Sequence, residues 1–238
     1  MMNHKYLVFL SKTIERYLGY YIPNDSVEGE FLNTLEARYT GYIVGGFIRD
    51  CIEENTPRDI DIIVHCPAES LDTLIRESHV PWTTNSNGGF KIFGSRIPID
   101  IWAMETHPYY RSGYFQNESD LHKSLFITTD SLIYNLRTKE VVIDQYLEAK
   151  QQNLLDFADR DSRYQIATQQ TPANILRIIS SMKRYDLQLS KPLKTFVAQF
   201  VQTNSHPVAS IDYEQIRHYG KRRFQPQEIQ LFFEQQEL

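Results

Sequence analysis

Arg58-Asp59-Ile60-Asp61-Ile62-Ile63-Val64 follows shortly after Tyr42-Ile43-Val44-Gly45-Gly46-Phe47-Ile48-Arg49-Asp50. The order is an apolar strand, a double glycine, a helix start, and then a strand that opens on two aspartates one residue apart. Alternate side chains of a strand share a face, so Asp59 and Asp61 point one way and Ile60 and Ile62 the other, into a core. Two carboxylates side by side repel and raise each other's pKa, a penalty that a divalent cation removes. Hard oxygen ligands without a neighbouring His or Cys favour Mg²⁺. A third acid, Asp100, stands in Pro98-Ile99-Asp100-Ile101-Trp102, again between isoleucines. Three such groups on neighbouring strands are expected to hold two Mg²⁺ ions at the spacing that two-metal phosphoryl transfer uses. Asp59, Asp61 and Asp100 are therefore the candidate metal ligands and catalytic residues. An Asp-x-Asp strand is also met as a solvated face, or as a pair satisfied by a neighbour such as Arg58.

Gly45-Gly46 ends one element and begins the next. Lacking Cβ atoms, glycines let backbone N–H groups approach a phosphate, and a helix N-terminus adds partial positive charge. The pattern is neither G-x-G-x-x-G nor a P-loop, and a bare Gly-Gly also serves as a plain tight turn. Arg49 and Asp50, inside the helix, read equally as an ion pair bracing the loop or as a contact to a nucleotide. Arg58 reads equally as a partner of Asp59 or as a ligand of a γ-phosphate.

Outward from this stretch, apolar spacing predicts a helix over 4–20, using Leu7, Leu10, Ile14, Tyr17 and Leu18. A second runs to Arg38, capped by Asp25 and Glu28, and buries Phe31, Leu32 and Leu35. A helix is expected over 68–78. Strands are expected near 90–93 and 97–103, with Gly94-Ser95 as a tight turn, a helix over 125–136, and a short strand at Val141-Val142-Ile143-Asp144. From residue 151 strand signals vanish. Ile175, Ile178, Ile179 and Met182 mark one helix face, Phe196, Val197, Phe200 and Val201 another, and Pro226 opens a last helix through Phe232 and Phe233. The fold class is α+β: a domain over 1–150 with a small mixed β-sheet plus helices, then an all-α domain over 151–238.

The chain has 238 residues, 41% of them hydrophobic, enough to bury a core and too apolar for disorder. Net charge is −5 and the pI about 5.8, which excludes a uniformly basic nucleic-acid coat but not a local patch. Cys51 and Cys66 are the only cysteines, without ligand spacing, so neither a disulfide framework nor a zinc site is expected, and the compartment reads as cytoplasmic. No signal peptide and no membrane-spanning run is legible.

The Gly-Gly, Arg-Asp and Asp-x-Asp set resembles the head domain of class II CCA-adding enzymes and bacterial poly(A) polymerases, within the nucleotidyltransferase superfamily that includes DNA polymerase β. Leu132-Ile133-Tyr134-Asn135-Leu136, Val142-Ile143-Asp144, Leu154-Leu155 and the run Ile175-Leu176-Arg177 through Ser190 resemble the family's later stretches, extending the likeness over roughly residues 30–220. The resemblance implies a strongly twisted mixed sheet followed by a helical neck. It also implies transfer of a nucleoside monophosphate from an NTP to a hydroxyl, with Asp59 and Asp61 as metal ligands and Gly45-Gly46 as the triphosphate cradle. The acceptor it implies is an RNA, tRNA-like 3′ end. On the same alignment Thr128, Asp130 and Arg177 are carried over as nucleotide-binding positions.

The departures are specific. The family's Arg-Arg-Asp-Phe-Thr-x-Asn-Ala run reads Ser124-Leu125-Phe126-Ile127-Thr128-Thr129-Asp130-Ser131 here: only the threonine survives, with Asp130 in the asparagine's place. His122 and Lys123 lie just upstream as substitute positive charge. The base-reading Glu-Asp-x-x-Arg of the neck is Gln170-Thr171-Pro172-Ala173-Asn174, so base choice is expected to be loose or other than C-C-A. The chain ends near the neck, and the body and tail that grip tRNA are expected to be absent or vestigial. Two alternatives stay open: NMP transfer to a protein or small molecule, and a catalytically idle nucleotide-binding module.

Several further residues carry weaker signals. Asn85 through Lys91 reads as a β-turn ending in a solvated lysine, or as a phosphate-binding or acceptor-shaping loop. Lys183-Arg184, Lys191, Lys194 and Lys221-Arg222-Arg223 are local basic groups that read as solvated faces or as RNA contacts. Tyr109-Tyr110 and Tyr114 read as packing residues or base-stacking rings. His65, His79 and His107 have no ligand spacing and are given no role.

Overall fold

The computed structural model describes residues 4–85, 88–111, 113, 117–159 and 171–236. Ser86, Asn87, Tyr114 and Gln170, each singled out in sequence, lie outside the described residues. The chain forms two compact units, residues 1–125 with 130–143, and residues 126–129 with 144–238.

The first unit runs α1 (His4–Tyr21), α2 (Val27–Arg38), β1 (Thr40–Val44), α3 (Gly46–Ile52), β2 (Ile60–His65), α4 (Ala68–Glu77), β3 (Trp82–Thr84), β4 (Phe90–Ile92), β5 (Ile99–Ala103), α5 (Pro108–Arg111), β6 (Ile133–Asn135) and β7 (Val141–Val142). Among the described residues its strands form one seven-stranded sheet in the order β3-β4-β5-β2-β1-β6-β7. The β2–β5 pair is parallel and every other neighbour antiparallel, so the sheet is mixed. Ile60, Ile62 and Val64 of β2 and Ile99, Ile101 and Ala103 of β5 are all buried on one face. Full burial of each isoleucine is worth about 1.5–3 kcal/mol. A slip of one residue would move all six to the other face and bring the aspartates inward, so register is held by the core itself.

Helix α2 buries Phe31, Leu32 and Leu35 as expected. Its cap is not the Asp25/Glu28 box, however. Ser26 is the N-cap and accepts from the Gly29 N–H at 3.1 Å. Glu28 is buried and accepts instead from the Ser95 N–H at 2.8 Å, which ties the helix to the β4–β5 connection. That connection is a loop over 93–98 rather than a tight Gly94-Ser95 turn. A Cβ on Gly94 would stand 2.3 Å from the Ile97 carbonyl oxygen, so the loop folds back on itself there.

The helix expected over 125–136 does not form. A short 3₁₀ turn, Thr128–Asp130, leads into strand β6, which pairs with β1 on one side and β7 on the other. The continuous apolar run Leu132-Ile133-Tyr134 has the composition of a strand buried on both faces, which short-range periodicity does not separate from a buried helix. The free edge of β1 decides it.

The second unit comprises α6 (Asp144–Gln152), β8 (Leu154–Leu155), α7 (Pro172–Tyr185), β9 (Gln188–Leu189), α8 (Lys191–Thr203), α9 (Pro207–Tyr219) and α10 (Pro226–Gln235). Strand signals were read as ending by residue 151, yet β8 and β9 pair in parallel, two residues each. The predicted apolar faces hold for Ile175, Ile178, Ile179, Phe196, Val197 and Phe200, all buried. Phe126, Phe157 and Phe196 pack as a ring cluster with centroids 5.5–5.8 Å apart.

Cys51 and Cys66 are buried free thiols, and burial pushes each pKa up to about 12. A thiol reagent acts on the thiolate, which is scarce near pH 8 at such a pKa. Ellman titration of the native protein should therefore read close to zero thiols, and after denaturation two.

Candidate active site

Strand register sets one row of side chains across the sheet. Asp61 stands opposite Asp100 on the parallel neighbour β5. Asp100 in turn stands opposite Lys91 on β4, and Asp61 opposite Val44 on β1. Adjacent strands lie about 4.8 Å apart, so the two aspartates are immediate neighbours. Asp59 precedes β2 by one residue, on the alternation that carries Asp61. All three acids are partly exposed, on the face opposite the isoleucine core.

Asp59 and Asp100 each carry a cation of this chain. Arg58 donates from Nε to Asp59 Oδ2 at 2.8 Å. Lys91 Nζ donates to Asp100 Oδ2 at 3.0 Å. The Arg58 side chain is 53% exposed. In the Lys91–Asp100 pair the exposures are 36% and 15%. An Arg58–Asp59 pair was one of two readings of the sequence. The solvated Lys91 favoured there is instead held against Asp100. Among the described residues, no group of three or more His, Cys, Asp or Glu is arranged to hold a metal ion. The donor set still suits one: Asp59, Asp61 and Asp100 are hard oxygen ligands on one sheet face.

The double glycine sits beside this row. Gly45 adopts φ 71°, ψ −125°, a backbone conformation that L side chains rarely take, and begins α3 without a side-chain cap. Its own N–H donates to the Leu132 carbonyl at 2.9 Å and is therefore spent on the loop before β6. The amides available to an anion are those of the first turn, from Gly46 onward, which lack intrahelical partners. Arg49 folds back over Gly46: a Cβ there would lie 3.3 Å from the guanidinium. The same guanidinium holds Asp130 Oδ1 at 2.5 Å, with Asp50 Oδ1 at 3.6 Å from Nε. Arg49 and Asp130, both candidate nucleotide-binding residues, thus form a staple from α3 to the segment that enters β6, a closer pair than the expected one of Arg49 with Asp50.

Sequence reading missed two features of this face. Glu118 accepts from the Tyr42 hydroxyl and pairs through its other oxygen with His65 Nδ1. Burial first, and Glu118 second, push the Tyr42 phenol above its usual range. No spacing could link residues 42, 65 and 118, because only the β1–β2 register sets Tyr42 and His65 near each other. Trp102, two residues after Asp100, lies so close over Gly89 that a Cβ there would stand 2.1 Å from its ring. Gly89 is therefore needed for β4 and β5 to pair beneath that ring.

The remaining candidates fall in the second unit. Thr128 is buried, its N–H donating to the Asp156 carbonyl at 2.9 Å and its Oγ1 accepting from the Asp156 N–H at 3.3 Å. Arg177 is exposed on α7. Of the basic groups, Lys183 pairs with Glu228. Arg222 forms a two-pronged pair with Asp212 at 2.7 Å, holding that carboxyl below its ordinary range. Arg223 lies over the Tyr219 ring, 3.5 Å from its centroid. Lys191, Lys194 and Lys221 are exposed. In the first unit, Lys123 is paired with Asp120 at 3.0 Å.

Residues 41–157 match the poly A polymerase head domain family. No curated protein matches the chain by sequence. Solved structures match its fold. A CCA-adding enzyme with CTP is 18% identical, with TM-score 0.63 over 96% of this chain and 54% of that one. The Thermotoga maritima CCA-adding enzyme complexed with tRNA is 18% identical, with TM-score 0.60 over 99% of this chain and 52% of that one. A tRNA nucleotidyltransferase complexed with a primer tRNA and an incoming ATP analog is 16% identical, with TM-score 0.61 over 87% and 60%. The chain spans about half the length of these proteins. Among the described residues no helix is long and apolar enough to cross a membrane.

The Arg49–Asp130 staple predicts energetic coupling. In a double-mutant cycle with Arg49→Met and Asp130→Asn, urea unfolding should show an interaction energy of about 0.5–3 kcal/mol. Additive effects would mean that the pair carries no bracing.

Proposed function

We propose, from the match of residues 41–157 to the poly A polymerase head domain family, that the chain is a Mg²⁺-dependent nucleotidyltransferase that moves a nucleoside monophosphate from an NTP to an acceptor hydroxyl and releases pyrophosphate. The single observation that carries this is Asp61 in register with Asp100 on parallel strands, beside a glycine turn that opens a helix. In this reading residues 1–150 are the catalytic head and residues 151–238 the helical neck.

Asp59 and Asp61 would hold the divalent cation, whose chemistry is to neutralise developing charge on the phosphates. The first-turn amides after Gly45 would accept triphosphate oxygens. Arg49 and Asp130 would keep that turn in position, and Arg58, exposed beside Asp59, has the reach to meet a γ-phosphate. Thr128 and Arg177 enter only through the family resemblance.

The acceptor favoured is an RNA 3′ end, supported by the likeness in fold to enzymes solved with tRNA. A second reading, transfer to a protein or small molecule, gains from the pairing of Lys183 with Glu228 and Arg222 with Asp212, which takes two basic groups out of an RNA-binding patch.

Asp61→Ala should lower NTP-dependent pyrophosphate release by at least roughly 100-fold while leaving the far-UV spectrum unchanged. Retained turnover in an Asp59→Ala, Asp61→Ala protein would remove the assignment. Labelled NTPs offered with total RNA, protein extract and small hydroxyl acceptors should label the RNA, with loose base preference; ordered C-C-A addition would contradict the altered neck motif. RNA affinity should fall steeply between low and moderate salt, and a flat response would favour the second reading.

A further inference from the structure

We propose that the Lys91 ammonium is a resident cation of this site, standing at Asp100 where a second divalent ion would otherwise bind, so that the folded chain takes one divalent ion rather than two. The inference rests on the nucleotidyltransferase reading of Asp59 and Asp61.

Lys91 is not a loose surface lysine that happens to reach a carboxylate. Its place is set by the β4–β5 ladder, where Phe90 pairs with Ile101, Lys91 with Asp100 and Ile92 with Ile99. Phe90 and Ile92 are buried on the other face, as are Ile99 and Ile101. A one-residue slip of the ladder would expose that apolar set, so the core holds Lys91 on the face of Asp100. Gly89 closes the strand against Trp102 and adds a second constraint on the same register. From that anchor Nζ lies 3.0 Å from Asp100 Oδ2, and Asp100 is the more buried partner.

An ammonium donates hydrogen bonds and has no lone pair for a metal. Beside Asp100 it neutralises the carboxylate and repels a divalent ion approaching the same oxygen. Because its Cα is fixed across one strand spacing, the lysine remains at high local concentration there. Arg58 stands differently: it is Asp59's own neighbour in sequence, is the more exposed cation, and is not held by a ladder partner. The Asp59–Asp61 end therefore remains the place for a divalent ion, and the Asp100 end carries its positive charge covalently.

The test counts bound Mn²⁺ by electron paramagnetic resonance in the whole chain, saturated with a non-hydrolysable NTP analogue. The wild-type chain should bind one ion. Lys91→Met and Lys91→Gln, checked for native circular dichroism, should bind two, and Lys91→Arg should remain at one. Adding Asp100→Asn to Lys91→Met should return the count to one. Two ions in the wild type, or one in both folded neutral variants, would overturn the role of Lys91 while leaving the nucleotidyltransferase reading intact. No bound ion in any of these proteins would instead remove the Asp59–Asp61 metal assignment, and this inference with it.

Discussion

Ile60-Asp61-Ile62 and Ile99-Asp100-Ile101 lie side by side as parallel strands in a register where every isoleucine is buried and both aspartates face out. The rest of the site depends on that pairing. Its strength comes from the apolar face: four isoleucines from the two strands leave water together, and a slip of one residue would turn them out and bury a carboxylate. The acids are therefore placed by residues that do no chemistry. Asp61 beside Asp100 is electrostatically unfavourable by itself, and the core energy on the opposite face holds it in place. The positive charge such a row demands comes partly from the protein itself, through Lys91 and Arg58.

The same economy appears at the glycine turn. Gly45 takes a conformation few residues tolerate, and its N–H is used to tie β1's end to the loop before β6. Arg49 then crosses over Gly46 to Asp130. The turn is thus held from two directions. Asp130 stands at a position where the resembling family has a different residue. Its partner here is an arginine of α3.

In the second unit the basic side chains are consumed unevenly. Arg222 is locked bidentately on Asp212 and Lys183 on Glu228, while Lys191, Lys194 and Lys221 are exposed. Charge counted along the chain treats all of these alike, and only their neighbours in space separate them. The chain matches its solved relatives over most of its own length but about half of theirs. The fold is therefore shared with CCA-adding enzymes over the span that this chain covers.

Local pattern was sufficient for the helices His4–Tyr21, Val27–Arg38, Ala68–Glu77, Pro172–Tyr185, Lys191–Thr203 and Pro226–Gln235, and for the strands carrying Asp61 and Asp100, because alternation and helical spacing are properties of a few consecutive residues; it gave no sign of the helices Asp144–Gln152 and Pro207–Tyr219. It failed at Leu132-Ile133-Tyr134, where an all-apolar run suits a helix or a strand and the open edge of β1 chooses the strand. It failed again at the α2 cap, where Glu28 is drawn off by the Ser95 amide sixty-seven residues away. Lys91 on Asp100, Arg49 on Asp130 and Glu118 between Tyr42 and His65 are likewise products of register and packing. By itself, then, the sequence determined the strands that carry Asp61 and Asp100 and most of the long helices. Only the tertiary structure decided which charges meet, because ion pairs between strands are set by the burial of the apolar residues on the other face.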